Sequence, residues 1–105
     1  MTKEETYNII RTTVFSALPD SRILLFGSQA KGTADTQSDY DLLVITKKKM
    51  DREKRLNILA KLNRDLVRAI HAPVDVLMKS EGEAKIDQQL PGHIIQTAFR
   101  EGVFL

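Results

Sequence analysis

Two aspartates, Asp39 and Asp41, stand one residue apart where a polar stretch gives way to the apolar run LLVI. In a strand alternate side chains point to the same face, so both carboxylates would face one side if the strand begins that early. Two carboxylates this close suppress each other's ionisation unless a cation neutralises them. Magnesium suits such a pair, because it binds through one or two carboxylates together with substrate phosphates. The pair therefore indicates a divalent-metal site that handles a phosphorylated substrate.

A third aspartate, Asp75, lies inside the apolar stretch PVDVL. An aspartate in such a strand is costly unless its charge is satisfied. If this strand neighbours the one that contains Asp41, the three carboxylates converge at one end of a sheet. Three aspartates can hold two divalent ions ~3.5–4 Å apart, the arrangement used for in-line displacement at phosphorus. We therefore predict that Asp39, Asp41 and Asp75 are catalytic and metal-binding, with two Mg²⁺ ions as cofactor.

A glycine-serine turn precedes the aspartate pair. Gly27 and Ser28 end the apolar run RILLF and lead into a short polar segment, an arrangement that presents backbone N–H groups to phosphate oxygens. Lys31 is one helical turn further on and could neutralise phosphate charge. The segment is not a Walker A loop, because the glycine at position 32 is followed by Thr33 and not by lysine. We predict that Gly27, Ser28 and Lys31 bind the phosphates of a nucleotide.

The elements that must position these residues can be read from apolar periodicity and breakers. The sequence predicts helices over 3–18 and 52–70, strands over 22–26, 40–46 and 73–79, and a last short helix around 94–99. It also predicts a short helical turn and loop over 28–38, a loop over 80–89, and an edge strand or clasp in the closing GVFL. The expected fold is α/β (α+β), a small mixed β-sheet with helices packed on it.

Length and composition limit the function classes. The 105 residues indicate a single domain spanning 1–105, and the net charge of +2 gives no strong nucleic-acid signal. The run Lys47–Lys49 continues into a segment of mixed charge that is typical of an exposed helix face. The absence of cysteine excludes disulfides and thiolate metal sites. No signal peptide or membrane span is evident, so we expect a cytoplasmic protein.

The ordered set of motifs resembles a known family. FGSQAKGTADTQSDYDLLVI, together with VDVLM, is similar to the nucleotidyltransferase domain of the DNA polymerase beta superfamily. More narrowly, the chain resembles the minimal nucleotidyltransferases, or MNT proteins, which are usually paired with HEPN-domain partners. The resemblance extends over nearly the whole chain, including the closing REGVFL. It implies the polymerase beta-like nucleotidyltransferase fold.

The resemblance also implies roles for individual residues. In that family the Gly-Ser turn binds the nucleoside triphosphate, the Asp-x-Asp pair binds two magnesium ions, and a third aspartate completes the metal site. The matching residues here are Gly27 and Ser28, then Asp39 and Asp41, and finally Asp75. Members commonly have arginine in the segment after Gly-Ser, whereas this chain has Gln29-Ala30-Lys31-Gly32. Lysine keeps the charge but lacks bidentate phosphate geometry, which bears on nucleotide affinity or choice.

The function implied by the resemblance is transfer of AMP from ATP to a hydroxyl of a partner protein. The chain would be the antitoxin of a HEPN/MNT toxin-antitoxin pair. The alternative is a catalytically idle module that binds a nucleotide or a protein and neutralises its partner by contact. A third interpretation treats the aspartates as caps and turn residues of a globular domain, but it must then also explain Asp75 within a strand.

Overall fold

The computed structural model describes residues 1–32 and 39–105, which contain four strands and five helices. The strands are β1 (Arg22–Phe26), β2 (Tyr40–Thr46), β3 (Val74–Ser80) and β4 (Val103–Phe104). The helices are α1 (Lys3–Ala17), α2 (Ser28–Lys31), α3 (Arg52–Ile70), α4 (Glu81–Asp87) and α5 (Ile94–Glu101). The predicted class, a mixed sheet with helices packed on it, is confirmed. None of these helices combines the length and apolar composition that a membrane span requires.

The four strands form one mixed sheet in the order β3-β2-β1-β4. β1 runs antiparallel to both β2 and β4, and β2 runs parallel to β3. Because parallel neighbours need a long crossover connection, α3 carries the chain from the end of β2 back to the start of β3. The starts of β2 and β3 therefore lie side by side, at the same end of the sheet as the end of β1.

Side chains alternate along the strands and create a core on each face of the sheet. One face packs against α1 and α3, and its buried members include Ile23, Leu25, Leu42, Val44, Leu62 and Leu66. The other face packs against α4 and α5, and its buried members are Leu24, Phe26, Leu43, Ile45, Ala84, Ile95 and Ala98. The second face is the one toward which Asp41 and Asp75 point, since they alternate in register with Leu43 and Leu77.

The helix starts follow the sequence signals closely. Thr2 caps α1 and forms a capping box with Glu5, as predicted, and Asp51 caps α3 by accepting a hydrogen bond from the backbone N–H of Lys54. These side chains satisfy backbone donors that a helix otherwise leaves unpaired at its first turn. β4 lies at the edge of the sheet, which confirms one of the two expectations for the closing residues.

Two expectations from the sequence are wrong. The loop predicted over 80–89 contains α4, because Ser80 and Glu83 form a second capping box that starts a helix there. The predicted apolar stripe of α3 also included Leu56, which is instead exposed. The short helical turn predicted at the start of 28–38 is confirmed as α2, and residues 33–38 of the predicted loop lie outside the described residues.

Candidate active site

Asp41 and Asp75 lie opposite each other on the adjacent parallel strands β2 and β3. The register pairs Tyr40 with Val74 and Asp41 with Asp75, so each aspartate is the second residue of its strand. The backbone N–H of Tyr40 donates to the carbonyl oxygen of Pro73 at 3.0 Å, which aligns the two strands at their first residues. The sequence argument required these strands to be neighbours, and the sheet places them so.

The electrostatics of this end of the sheet are unfavourable for a bare carboxylate. Burial raises the pKa of Asp41 above its ordinary value, and the nearby charges of Asp75 and Asp39 raise that pKa further. Asp39 lies immediately before β2 and is exposed. The first strand residue is Tyr40, so the Asp39-Asp41 pair straddles the start of the strand. The negative charges of Asp39 and Asp75 thus both act on the carboxyl group of Asp41.

Asp75 differs from the sequence expectation in one respect. The flanking valines indicated a carboxylate in an apolar setting, where its charge would be costly. In the structure Asp75 is exposed, because β3 is an edge strand and Asp75 lies near its open end. Asp75 therefore keeps its hydration, and the half-buried Asp41 is the carboxylate that bears the desolvation penalty.

Gly27 brings the backbone at the end of β1 against Asp41. The pairing of Phe26 with Asp41 places the next residue, Gly27, beside the Asp41 side chain. Its backbone has φ 76° and ψ −159°, a region that essentially only glycine adopts. A Cβ built on Gly27 would overlap the Asp41 Oδ2 atom. Glycine is thus required at position 27 for two reasons: the backbone conformation there, and the space that the Asp41 carboxylate occupies.

The short helix α2 follows Gly27 directly and contains Ser28 and Lys31. Ser28 is its first residue and is half-buried, and Lys31 is its last. The Lys31 ammonium does not extend freely into solvent, since its Nζ lies 3.1 Å from Oε2 of Glu101 at the end of α5. Sequence reasoning did not anticipate this ion pair, and no local signal could have revealed it, because the two residues are 70 positions apart in the printed sequence.

The oxygen donors of this site suit a hard cation such as magnesium. Within residues 1–32 and 39–105, however, no group of three His, Cys, Asp or Glu side chains is arranged so that it could hold one metal ion. Magnesium needs fewer protein ligands than that, since it retains waters and binds through one or two carboxylates plus phosphate oxygens. The facing Asp41 and Asp75, with Asp39 close enough to shift the pKa of Asp41, therefore fit this cation by donor chemistry.

Two cavities lie outside the aspartate cluster. One of about 400 Å³ is at the opposite end of the sheet, where α1 leads into β1 and β2 ends, and its lining includes Leu18, Thr46, Lys48 and Met50. A second of about 270 Å³ lies between α1, α2 and the start of β2, beside Tyr7. The residues that line these two cavities do not include the three aspartates.

Comparison with known proteins agrees with this geometry. A family model described as "Polymerase beta, Nucleotidyltransferase" matches residues 20–102. The match begins just before β1, ends just after α5, and thus includes the glycine-serine turn and all three aspartates. No curated protein matches the chain.

Several solved structures share the fold. A protein assigned as a minimal nucleotidyltransferase superposes with a TM-score of 0.69 and 22% identity, over 100% of this chain and 97% of its own. A toxin-antitoxin complex crystallised with AMP-PNP gives a TM-score of 0.65 and 21% identity, over 98% of this chain and 72% of that one. A complex of a tri-AMPylated HEPN toxin with its MNT antitoxin, from Shewanella oneidensis, gives 0.62 and 20% identity, over 98% and 71%. At these identities the likeness shows a common fold.

Proposed function

The chain belongs to the polymerase beta nucleotidyltransferase family, and from that premise we propose that it transfers AMP from ATP to a hydroxyl group of a partner protein. The acceptor oxygen would form a bond to the α-phosphorus, and the bond from that phosphorus to the bridging oxygen would break. The acceptor hydroxyl loses its proton and pyrophosphate leaves. The observation that carries the proposal is the facing pair Asp41 and Asp75 beside the Gly27 turn.

The three aspartates would form the acidic half of the site. Asp39, Asp41 and Asp75 are proposed to hold magnesium, which when bound would neutralise the charge of the carboxylates and of the triphosphate. The raised pKa of Asp41 supports this role, because a cation would relieve the repulsion that raises it. Asp75 is exposed, and we assign to it the orientation of the acceptor hydroxyl and the acceptance of its proton.

The glycine-serine turn would form the phosphate-binding half. Gly27 lacks a side chain, so its backbone can lie close both to Asp41 and to a phosphate oxygen. The Ser28 hydroxyl would donate a hydrogen bond to the leaving pyrophosphate, and Lys31 would neutralise its charge. Catalysis would then rest on positioning and on stabilisation of developing charge.

The proposed partner is a HEPN-domain protein, with this chain acting as its antitoxin. The proposal is supported by the fold shared with chains of toxin-antitoxin complexes, one of which contains a tri-AMPylated HEPN toxin. A separate acceptor protein is also consistent with the exposure of Asp39 and Asp75.

The test is transfer of label from [α-³²P]ATP to a HEPN-domain protein in the presence of magnesium. Asp41→Asn should reduce labelling by ~10²-fold or more, because it removes a charged ligand of the magnesium that would neutralise the reacting phosphate. Asp65→Asn is the matched control, since it makes the same chemical change on α3, away from the aspartate cluster. Chelation of magnesium should abolish labelling by the unaltered protein. Undiminished labelling by Asp41→Asn would refute the assignment of the site.

A second candidate is a module that binds the nucleotide or the partner without catalysing transfer. The observation that favours it is the Lys31–Glu101 ion pair, because the Glu101 carboxylate already pairs with the lysine that is predicted to bind the phosphates. Isothermal titration with ATP and magnesium separates a module that binds no nucleotide from one that binds it, and label transfer separates an idle site from a working one. Binding without any labelling of the partner would favour the idle module over the enzyme.

A further inference from the structure

The contact between Lys31 and Glu101 links the phosphate-binding turn to the last helix. The lysine Nζ lies 3.1 Å from the glutamate Oε2, and the side chains are 49% and 28% exposed. α5 packs on the face of the sheet that contains Leu43, and Asp41 points toward that same face because strand side chains alternate. The ion pair therefore lies on the side of the sheet toward which the candidate catalytic carboxylate points.

Helix α2 has few means of fixing Lys31 by itself. It spans four residues, and its N-cap, Gly27, provides no side-chain hydrogen bond. Its single turn is held by the N–H groups of Ala30 and Lys31, both 3.2 Å from the Gly27 carbonyl oxygen, and by the N–H of Gly32, which donates to the Ser28 carbonyl oxygen. Isolated helical turns are unstable, because nucleation fixes several dihedral angles for one hydrogen bond. A long, flexible lysine at the end of such a turn needs a tertiary contact if it is to adopt one orientation.

Glu101, by contrast, is firmly anchored. The next residue, Gly102, has its N–H 2.8 Å from the carbonyl oxygen of Ala98. A Cβ added to Gly102 would overlap that oxygen and lie 2.8 Å from Cδ1 of Leu24 in β1. Ala98 and Ile95 are fully buried against the sheet. The end of α5 is therefore fixed on β1, the same strand that leads into the Gly27 turn.

We infer that Glu101 is a positioning residue that orients Lys31 toward the phosphates of the nucleotide, an inference that rests on the proposed function. Two effects of the carboxylate oppose each other. It restricts the lysine side chain before the ligand arrives, which favours binding, and it offsets part of the lysine charge, which disfavours binding. The second effect is weak because both groups are partly hydrated and screened by solvent. Orientation therefore dominates.

The test uses isothermal titration of the full chain with magnesium-ATP and, separately, with inorganic triphosphate. Glu101→Gln keeps the size of the side chain and removes its charge, and it should raise the Kd for both ligands about three- to tenfold. The effect should be equal for the two ligands, because the inferred role concerns the phosphates and not the base. The melting temperature should stay close to that of the unaltered protein, since exposed ion pairs contribute little stability.

Two controls distinguish positioning from general weakening. Asp65→Asn removes a surface ion pair on α3, with Lys61, and should leave both Kd values unchanged. Lys31→Ala should weaken binding, and adding Glu101→Gln to Lys31→Ala should weaken it no further, because the glutamate acts only through the lysine.

Each outcome tests either the positioning role of Glu101 or the proposed function. If the unaltered protein binds and Glu101→Gln binds equally well or more tightly, the positioning role is overturned. The same holds if the double variant is weaker than Lys31→Ala by the full effect of Glu101→Gln. If the unaltered protein binds neither ligand, the proposed function fails and the inference fails with it.

Discussion

The two ends of the β2–β3 pair treat a carboxyl group in opposite ways. At the start of the strands, burial and the charges of Asp75 and Asp39 raise the pKa of Asp41. Just past the end of β3, the backbone N–H of Ser80 and then the Arg55 side chain lower the pKa of Glu83 to about 2. Hydrogen-bond donors thus lie against the carboxyl group of Glu83, whereas other carboxylates lie near that of Asp41.

The contacts around Glu83 explain the difference. Its Oε1 accepts a hydrogen bond from the Ser80 N–H at 2.9 Å and lies 2.7 Å from Nη2 of Arg55. Ser80, Glu83 and Arg55 belong to the end of β3, the start of α4 and the first part of α3, so one carboxylate joins three elements. The far end of the pair is therefore a structural clamp, whereas at the Asp41 end burial and neighbouring carboxylates disfavour the charged form of the carboxyl group.

The largest expected loss of stability and activity comes from placing a side-chain atom between Gly27 and Asp41. Gly27→Ala must adopt an unfavourable backbone conformation and must displace the Asp41 carboxylate, so it should cost about 3 kcal/mol or more and remove transfer activity. Gly32→Ala is the matched control. Gly32 also has positive φ, at 72°, but no atom of the described residues lies within 4 Å of its added Cβ, so the cost should be about 1–2 kcal/mol.

Denaturant unfolding of both glycine variants, with activity measured in parallel, checks this prediction. The two positions share a positive φ but differ in ψ, so the difference between them contains the close approach of backbone and carboxylate together with the more restricted backbone conformation of Gly27. Equal costs for the two variants would mean that the contact between Gly27 and Asp41 contributes nothing specific, and the contrast between the two ends of the sheet would lose its structural basis.

Substitution of Glu83, at the clamp end, should change the free energy of unfolding and leave the aspartate cluster unaffected. Glu83→Gln weakens a capping box and an ion pair with Arg55, and should cost about 1–2 kcal/mol at neutral pH without altering the aspartate cluster. The pKa of Glu83 in the folded protein, about 2, lies below its ordinary value of 4.5, so the stabilisation is present above pH 4.5 and is lost as the pH falls toward 2.

Acid unfolding of Glu83→Gln and of the unaltered protein measures this directly. Their stability curves should be separated at neutral pH and should approach each other between pH 4.5 and 2. Glu81→Gln provides the comparison, because Glu81 is an exposed glutamate in the same first turn of α4. A constant separation down to pH 2 would show that the ionisation of Glu83 is not what stabilises the clamp.

The sequence predicts the site more directly than it predicts the clamp, for identifiable reasons. Asp41 and Asp75 each follow the start of an apolar strand, and the order of the elements made those strands neighbours. Ser80 and Glu83 have the spacing of a capping box, yet the polar stretch around them resembles a loop when that spacing is overlooked. Their link to Arg55 joins residues 28 positions apart and arises only when α3 and α4 pack on β3. Local patterns cannot specify such a contact.

The smallest expected effect is a gain in stability from Asp41→Asn, which sharpens the contrast with Glu83. The folded state disfavours the charged form of Asp41, so removing that charge should stabilise the protein at neutral pH by on the order of 0.5 kcal/mol. The gain should disappear as the pH falls below 3.8, the ordinary pKa of aspartate, where the carboxyl group becomes protonated in both folded and unfolded chains. Magnesium should raise the melting temperature of the unaltered protein and should raise that of Asp41→Asn much less, because the variant no longer presents the repulsion that the cation relieves. A loss of stability in Asp41→Asn at neutral pH would instead place Asp41 with Glu83, as a carboxylate whose charge supports the fold.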